Sequence, residues 1–175
     1  MARIYGTSLP ELIVGYPTVS DKYNVAGGVL AADSEPITFG RLLKYTADSG
    51  IYTLGSTFTA VTELAGVACA TNVKLADPWT DEVKVYPGEA VNIMFDGYIA
   101  IQLARTLSKT TEIKAGAPVY LKLDTGDLCT NTEAGATAVP GWAFTGKYEL
   151  HENPGMPSSP ILVAEVEISS GNFAK

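Results

Sequence analysis

Histidine is almost missing from this sequence, which has one, His151, in 175 residues. A catalytic histidine needs a nucleophile or an orienting acid held near it on a rigid element. His151 instead sits beside Glu152 at the head of a stretch, 151–160, that carries three prolines, and no Gly-x-Ser-x-Gly turn occurs elsewhere. Cysteine is scarce too. Cys69 and Cys129, with one histidine, cannot fill a four-ligand zinc site at any familiar spacing. Both lie in apolar, strand-like text and read as buried free thiols rather than a disulfide. Basic charge is short: 12 Lys and Arg face 19 Asp and Glu, a net charge of −7, with no basic run to offset it. That balance repels phosphate backbones and anionic lipid, so neither nucleic acid nor a membrane is expected as a partner. No stretch approaches the ~20 apolar residues of a membrane helix. Leu12-Ile13-Val14 is far shorter than the apolar region of a signal peptide, so the chain is expected to stay where it is made. The glycines form no phosphate-cradling loop before a helix, and no stretch reads as a long amphipathic helix. No enzyme, cofactor or metal ion is expected.

What is present is strand text punctuated by turns. In residues 113–128, Val119, Leu121 and Leu123 alternate with Tyr120 and Lys122, the period of a strand buried on one face. Asp124 and Gly126 then supply turn chemistry, and Pro118 opens the strand where a missing amide costs least. The same grammar runs from Gly40 to Gly50 and from Gly88 to Asp96-Gly97, so three hairpins are predicted, turning at Gly50, at Asp96-Gly97 and at Asp124–Gly126. Equivalent signals in the first and third lie 75–76 residues apart, which suggests two related halves or a chance of glycine spacing. In the middle hairpin, Phe95 would face Tyr98 across a two-residue turn, and both faces would be apolar. Such a ribbon belongs inside a barrel or sandwich, or against another subunit.

Residues 129–140 are small and polar and are expected to form a surface loop. Residues 146–149 and 161–168 read as the arms of a last, long hairpin, and Ile161–Ile168 is the clearest strand in the chain. The reading is therefore all-β: a compact barrel or sandwich of repeated hairpins over 36–175, with little helix. Residues 1–35 differ. Prolines and glycines break every period there, yet the apolar content is too high to leave in water, which gives an extended N-terminal arm that lies on its own barrel or across a neighbouring subunit.

Two further groups invite a site. Asp77, Asp81 and Glu82 could cage calcium, but the loop lacks alternating Asp/Asn ligands and the glycine bend, so a solvated acidic loop is expected. Trp79 and Trp142 could stack on sugar, although tryptophan in a β protein more often fills the core.

The order of signals resembles a known family. Gly40-Arg-Leu-Leu43, Leu64-Ala-Gly-Val-Ala-Cys-Ala70, Tyr86-Pro-Gly-Glu-Ala-Val-Asn-Ile-Met-Phe-Asp-Gly-Tyr-Ile-Ala-Ile101, Ile113-Lys-Ala-Gly-Ala-Pro-Val-Tyr-Leu121, Trp142-Ala-Phe144 and Ile161–Ile168 together resemble the capsid cement, or decoration, proteins of tailed bacteriophages, over about 36–168. The resemblance implies a structural virion protein assembled in the host cytoplasm and bound to the outside of a shell of HK97-fold major capsid proteins. It also implies homo-oligomers, with a trimer slightly favoured over a dimer. On that reading the arm makes the cross-subunit or capsid contact through Tyr5, Leu9, Leu12, Ile13, Val14 and Tyr16. The alternative is a tail or head-fibre-base structural protein with a carbohydrate-binding surface at Trp79 or Trp142.

Overall fold

The computed structural model describes residues 12–19, 23–70, 83–131, 135–151 and 160–169. Among the described residues, eleven strands follow one another: β1 Tyr23–Leu30, β2 Ile37–Thr38, β3 Leu42–Tyr45, β4 Ile51–Leu54, β5 Leu64–Ala68, β6 Lys84–Val85, β7 Ala90–Leu103, β8 Pro118–Lys122, β9 Asp127–Cys129, β10 Ala136–His151 and β11 Ile161–Ile168. Three single turns of 3₁₀ helix are the helical content of the described residues. The chain is all-β.

Nine strands form one sheet in the order β1-β4-β3-β5-β7-β11-β10-β8-β9, and β1 also pairs with β7. That extra pairing closes β1, β4, β3, β5 and the first half of β7 into a ring. The second half of β7 begins another circuit through β11, β10, β8 and β9, and the Ala104 amide closes it by donating to the Leu128 carbonyl at 2.8 Å. The two circuits share β7 and repeat one another. Leu42 pairs with Val67 between β3 and β5, and the residues 76 positions later, Pro118 and Ala143, pair between β8 and β10. Gly40 and Gly116 have φ of 83° and 79°, and Gly50 and Gly126 have 78° and 68°. Equal spacing thus carries equal backbone geometry, as two related halves require.

The turn predicted at Asp96-Gly97 does not exist. β7 runs through it as one 14-residue strand, and Phe95 and Tyr98 are not cross-strand partners. The local chemistry of Asp-Gly favours a turn, but distant strands decide the outcome. β1 and β5 take the backbone of the first half of β7 and β11 takes that of the second. Gly97 is the changeover residue, opposite both Tyr23 of β1 and Ile168 of β11. The apolar character of both faces is real and has this cause: Ile93 points into a core with Leu30, Leu43 and Val91, while Met94, Ile99 and Ile101 point into a larger core with Leu121, Trp142 and Phe144.

Two further expectations are corrected. Residues 23–30, read as part of the arm, are a strand of the sheet; Gly27-Gly28 is not a break, because a Cβ at Gly28 would overlap the Tyr52 ring, so glycine lets β1 lie close to β4. Residues 136–140 are not loop but the start of β10, paired with β8 through Thr137 and Leu121. Pro140 is accommodated where the register slips between Ala138 and Ala143, with Gly141 at φ 76°.

Candidate interaction surface

The N-terminal segment is anchored rather than free over its described part. The Gly15 amide donates to the Ala100 carbonyl at 2.8 Å, the Ala100 amide to Tyr16 at 3.2 Å, and the Thr18 amide to Tyr98 at 3.0 Å. Pro17 forms a bridge opposite Ile99. Residues 15–18 therefore cover the edge of β7 that β11 leaves open. Gly15, at φ 81°, meets Gly40, at φ 83°, back to back: a Cβ on Gly15 would overlap the Gly40 amide, and one on Gly40 would overlap Val14. Leu12 is 3% exposed and packs on Ala100 and Val163, with Val14 beside it. Its amide lies 3.4 Å from Glu149 Oε2 on β10.

Of the six contact residues expected from the sequence, Tyr5 and Leu9 lie outside the described residues. Leu12 is spent on its own molecule, which corrects its assignment as an external contact; burying it there removes apolar area from water without a partner. Val14 is half-buried. Ile13 and Tyr16 project outward, 48% and 44% exposed. Gly50 and Gly126 stand in the β3–β4 and β8–β9 turns with positive φ, and Asp124 precedes the latter, 3.7 Å from Lys122 Nζ. Asp96 instead accepts a 2.7 Å hydrogen bond from Asn24 Nδ2, tying β7 to β1.

A buried carboxylate lies under the anchored segment. Glu165 of β11 is buried, accepts a 2.6 Å hydrogen bond from the Thr145 hydroxyl and has Lys147 Nζ at 3.5 Å. Burial pushes its pKa up, but the hydroxyls of Thr145 and Thr18 together with Lys147 bring it below the ordinary carboxylate value. It ties β11 to the start of the overrun of β10 through Thr145 and Lys147. His151 pairs with Glu149 at 3.0 Å, with no nucleophile beside it among the described residues. An open groove of about 330 Å³ between the two circuits is lined by Gly40, Arg41, Gln102, Gly126 and Asp127 among others, and brings together one cation and one anion. Among the described residues, no group of three or more His, Cys, Asp and Glu is placed to hold a metal ion. Trp142 is in the core and offers no stacking face to a sugar. Trp79, Asp77, Asp81 and Glu82 lie outside the described residues. Cys69 and Cys129 are buried free thiols, and burial pushes the Cys69 thiol up to about 12.

One surface was not singled out from the sequence. β8 covers β10 as far as Phe144, whose amide and carbonyl bond Ala117 and Gly116 at 2.8 Å each. Beyond it the register with β11 breaks over 145–147, with Gly146 at φ 95°, and 148–151 pair with β11 on one side alone among the described residues. Tyr148 and Leu150, 43% and 50% exposed, stand on this margin.

The model of a protein family described as structural cement protein (E217 gp24/Pam3 gp6) matches residues 2–168 of the chain. The chain belongs to the phage structural cement proteins. The cement protein is similar in fold to a chain in the structure entitled the capsid of Myoviridae phage XM1, at 17% identity and a TM-score of 0.60, over 99% of both chains. A chain of the head fibre gp8.5 N base of bacteriophage phi29 aligns at 14% identity and a TM-score of 0.35, over 87% of this chain and 99% of that one. No curated protein matches the sequence. The cement protein is thus a structural component of the phage capsid, with a virion location.

Proposed function

We propose that this cement protein binds the outer surface of a shell of HK97-fold major capsid proteins and stabilises the expanded form of that shell. The observation that carries the reading is the family match over 2–168, supported by the outward Ile13 and Tyr16 on a strap fixed to a rigid sheet. The protein acts without catalysis, by mass action. A ligand that binds one state of a lattice and not the other stabilises it by RT ln(1 + [L]/Kd), about 2.7 kcal/mol per site when free protein is 100 times Kd. Contacts through several subunits add to this, because each later one forms at a high effective concentration.

Ile13 and Tyr16, with Tyr5 and Leu9, make the contact to the major capsid protein or a neighbouring copy. Leu12 and Val14 hold the segment that presents them. Assembly takes place in the host cytoplasm, and the protein decorates the capsid exterior. The test is co-sedimentation with empty shells of the full chain, a chain lacking residues 2–11, and Ile13→Ser/Tyr16→Ser. Either change should weaken retention on expanded shells at least tenfold with Tm kept; retention equal to the parent by both variants would refute the contact.

A further inference from the structure

The two circuits close in the same way, and the second is left one rung short. In the first, the Val29 amide donates to the Gly50 carbonyl at 2.9 Å and the Ala31 amide to the Tyr52 carbonyl at 2.8 Å, which joins β1 to β4. Gly126 and Leu128 stand 76 positions after Gly50 and Tyr52. The Leu128 carbonyl is met as that of Tyr52 is, by the Ala104 amide at 2.8 Å. Two residues before Ala104, in the place of Val29, stands Gln102, and no described residue takes up its amide or its carbonyl. Its neighbours fix where those groups point. Ala100 spends both backbone groups on Gly15 and Tyr16, and Ala104 gives its amide to Leu128. Alternation along β7 therefore turns Gln102 away from β11, to which Ile101 and Leu103 bond.

Two features of the chain hold this rung open. The Tyr16 amide bonds back to the Ile13 carbonyl at 3.0 Å, so the strap leaves the edge of β7 at Gly15, before it reaches Gln102. From the other side the β8–β9 turn is drawn towards the first half: a Cβ on Gly126 would overlap the Gly55 carbonyl, whereas one on Gly50 would meet nothing. What remains between them is the open groove of about 330 Å³, with Val14, Arg41, Gln102 and Asp127 among its walls. That volume is at the lower end of what ligand sites enclose. Arg41 and Asp127 are exposed, and the side chain of neither is held by an ion pair or a hydrogen bond.

A strand edge that offers one donor and one acceptor between a cation and an anion suits a main chain: the backbone groups supply affinity and the charges choose among sequences. A simple anion would leave Asp127 unmatched, and a simple cation Arg41. Val14 lines the groove and joins it to Ile13, 48% exposed, so the groove continues the surface assigned to the shell contact. We propose that an extended segment of the major capsid protein, carrying one acidic and one basic side chain, lies in this groove, accepts from the Gln102 amide, donates to the Gln102 carbonyl and pairs its charges with Arg41 and Asp127. The inference rests on the capsid-binding reading above and adds a site to it. Ile13 and Tyr16 supply apolar area, while the groove selects the sequence that is bound.

Residue-resolved hydrogen exchange of the full chain, free and bound to empty expanded shells, tests the rung. In the free chain the Gln102 amide should exchange at least about 100 times faster than those of Ile101 and Leu103, and on the shell it should slow by about tenfold or more. Two variants test the contact by co-sedimentation. Gln102→Pro removes an amide that the fold does not use and should bind expanded shells about fivefold more weakly at unchanged Tm. Arg41→Ala/Asp127→Ala should weaken retention about tenfold and flatten its loss between 50 and 500 mM NaCl, because the screened charges are gone. A slow Gln102 amide in the free chain would mean that the chain fills the rung itself, and would overturn the site. So would an amide that the shell leaves unprotected, or parent-like retention of the double-alanine variant or of a proline variant with its Tm kept. In those cases retention of the parent keeps the capsid-binding reading standing; a parent chain that no shell retains overturns both.

Discussion

The two halves of the molecule begin alike and end differently. β5 and β10 are equivalent strands: Val67 and Ala143 pair in the same register with Leu42 and Pro118, and Ala68 corresponds to Phe144. β5 stops at Ala68, whereas β10 runs on through His151. The first half likewise carries an addition of its own, the strap 12–19 laid along β7. What the halves share is the scaffold, a ring of short strands around β7. What they do not share, the strap and the overrun of β10, carries exposed Ile13, Tyr16, Tyr148 and Leu150, while Tyr23, Val29, Tyr45 and Tyr86 are exposed elsewhere on the sheet and its loops. A duplicated scaffold leaves its unmatched pieces free to take up contacts.

The largest expected effect separates scaffold from addition within one strand. Phe144, fully buried in the main core, should cost about 3–5 kcal/mol as Phe144→Ala. Tyr148→Ala, four residues on, should stay within about 0.5 kcal/mol by urea denaturation of the monomer. Comparable losses at both would erase the distinction.

Next in size is a comparison of equivalent glycines. Gly116→Ala meets no atom and bears only the strain of φ 79°, roughly 1–2 kcal/mol. Gly40→Ala has the same φ strain and also overlaps Val14 against the strap, which should add about 1–3 kcal/mol and expose 12–19 to protease. Equal losses at 40 and 116 would mean that the strap is not clamped at Gly40.

Acid should act on one half more than the other. Glu165 has its pKa lowered by Thr145, Thr18 and Lys147 against the opposing push of burial. A carboxylate depressed in the native state contributes stability that is present above its ordinary value of 4.5 and is lost as pH falls through the lower native one. Glu165→Gln should therefore lower Tm at neutral pH and flatten its fall below that value. An unchanged acid profile would mean that Glu165 adds no pH-dependent stability. The smallest effect expected is chemical: Cys69, with its thiol pushed up to about 12 by burial, should resist iodoacetamide at pH 8 until the chain is unfolded.

Much of the scaffold was legible because it is written locally. The alternation at Val119–Leu123 and Ile161–Ile168 needs only a strand with one buried face, and the 76-residue spacing of Gly40/Gly116 and Gly50/Gly126 marks positions where a positive φ is required. Asp96-Gly97 misled for the opposite reason. Its turn chemistry is local, while the strands that keep it extended come from 23–30, 64–68 and 161–168. Gly27-Gly28 misled similarly, since the reason for glycine at 28 is the ring of Tyr52, 24 positions away. The strap's apolar content was visible, but not which residue anchors and which projects: Leu12 and Ile13 are equivalent on paper and opposite in place. The open margin of β10 depends on where β8 stops, a fact of pairing that no window of sequence contains.

The central claim is that the cement protein recognises an expanded shell and holds it. Equal amounts of purified protein mixed with empty expanded and unexpanded shells, pelleted and quantified across a concentration series, measure this directly. The account predicts saturable retention at regular stoichiometry on expanded shells with at least 100-fold higher affinity than on unexpanded ones, and greater resistance of the decorated shells to heat. Equal retention by both forms, or retention without any gain in shell stability, would contradict it.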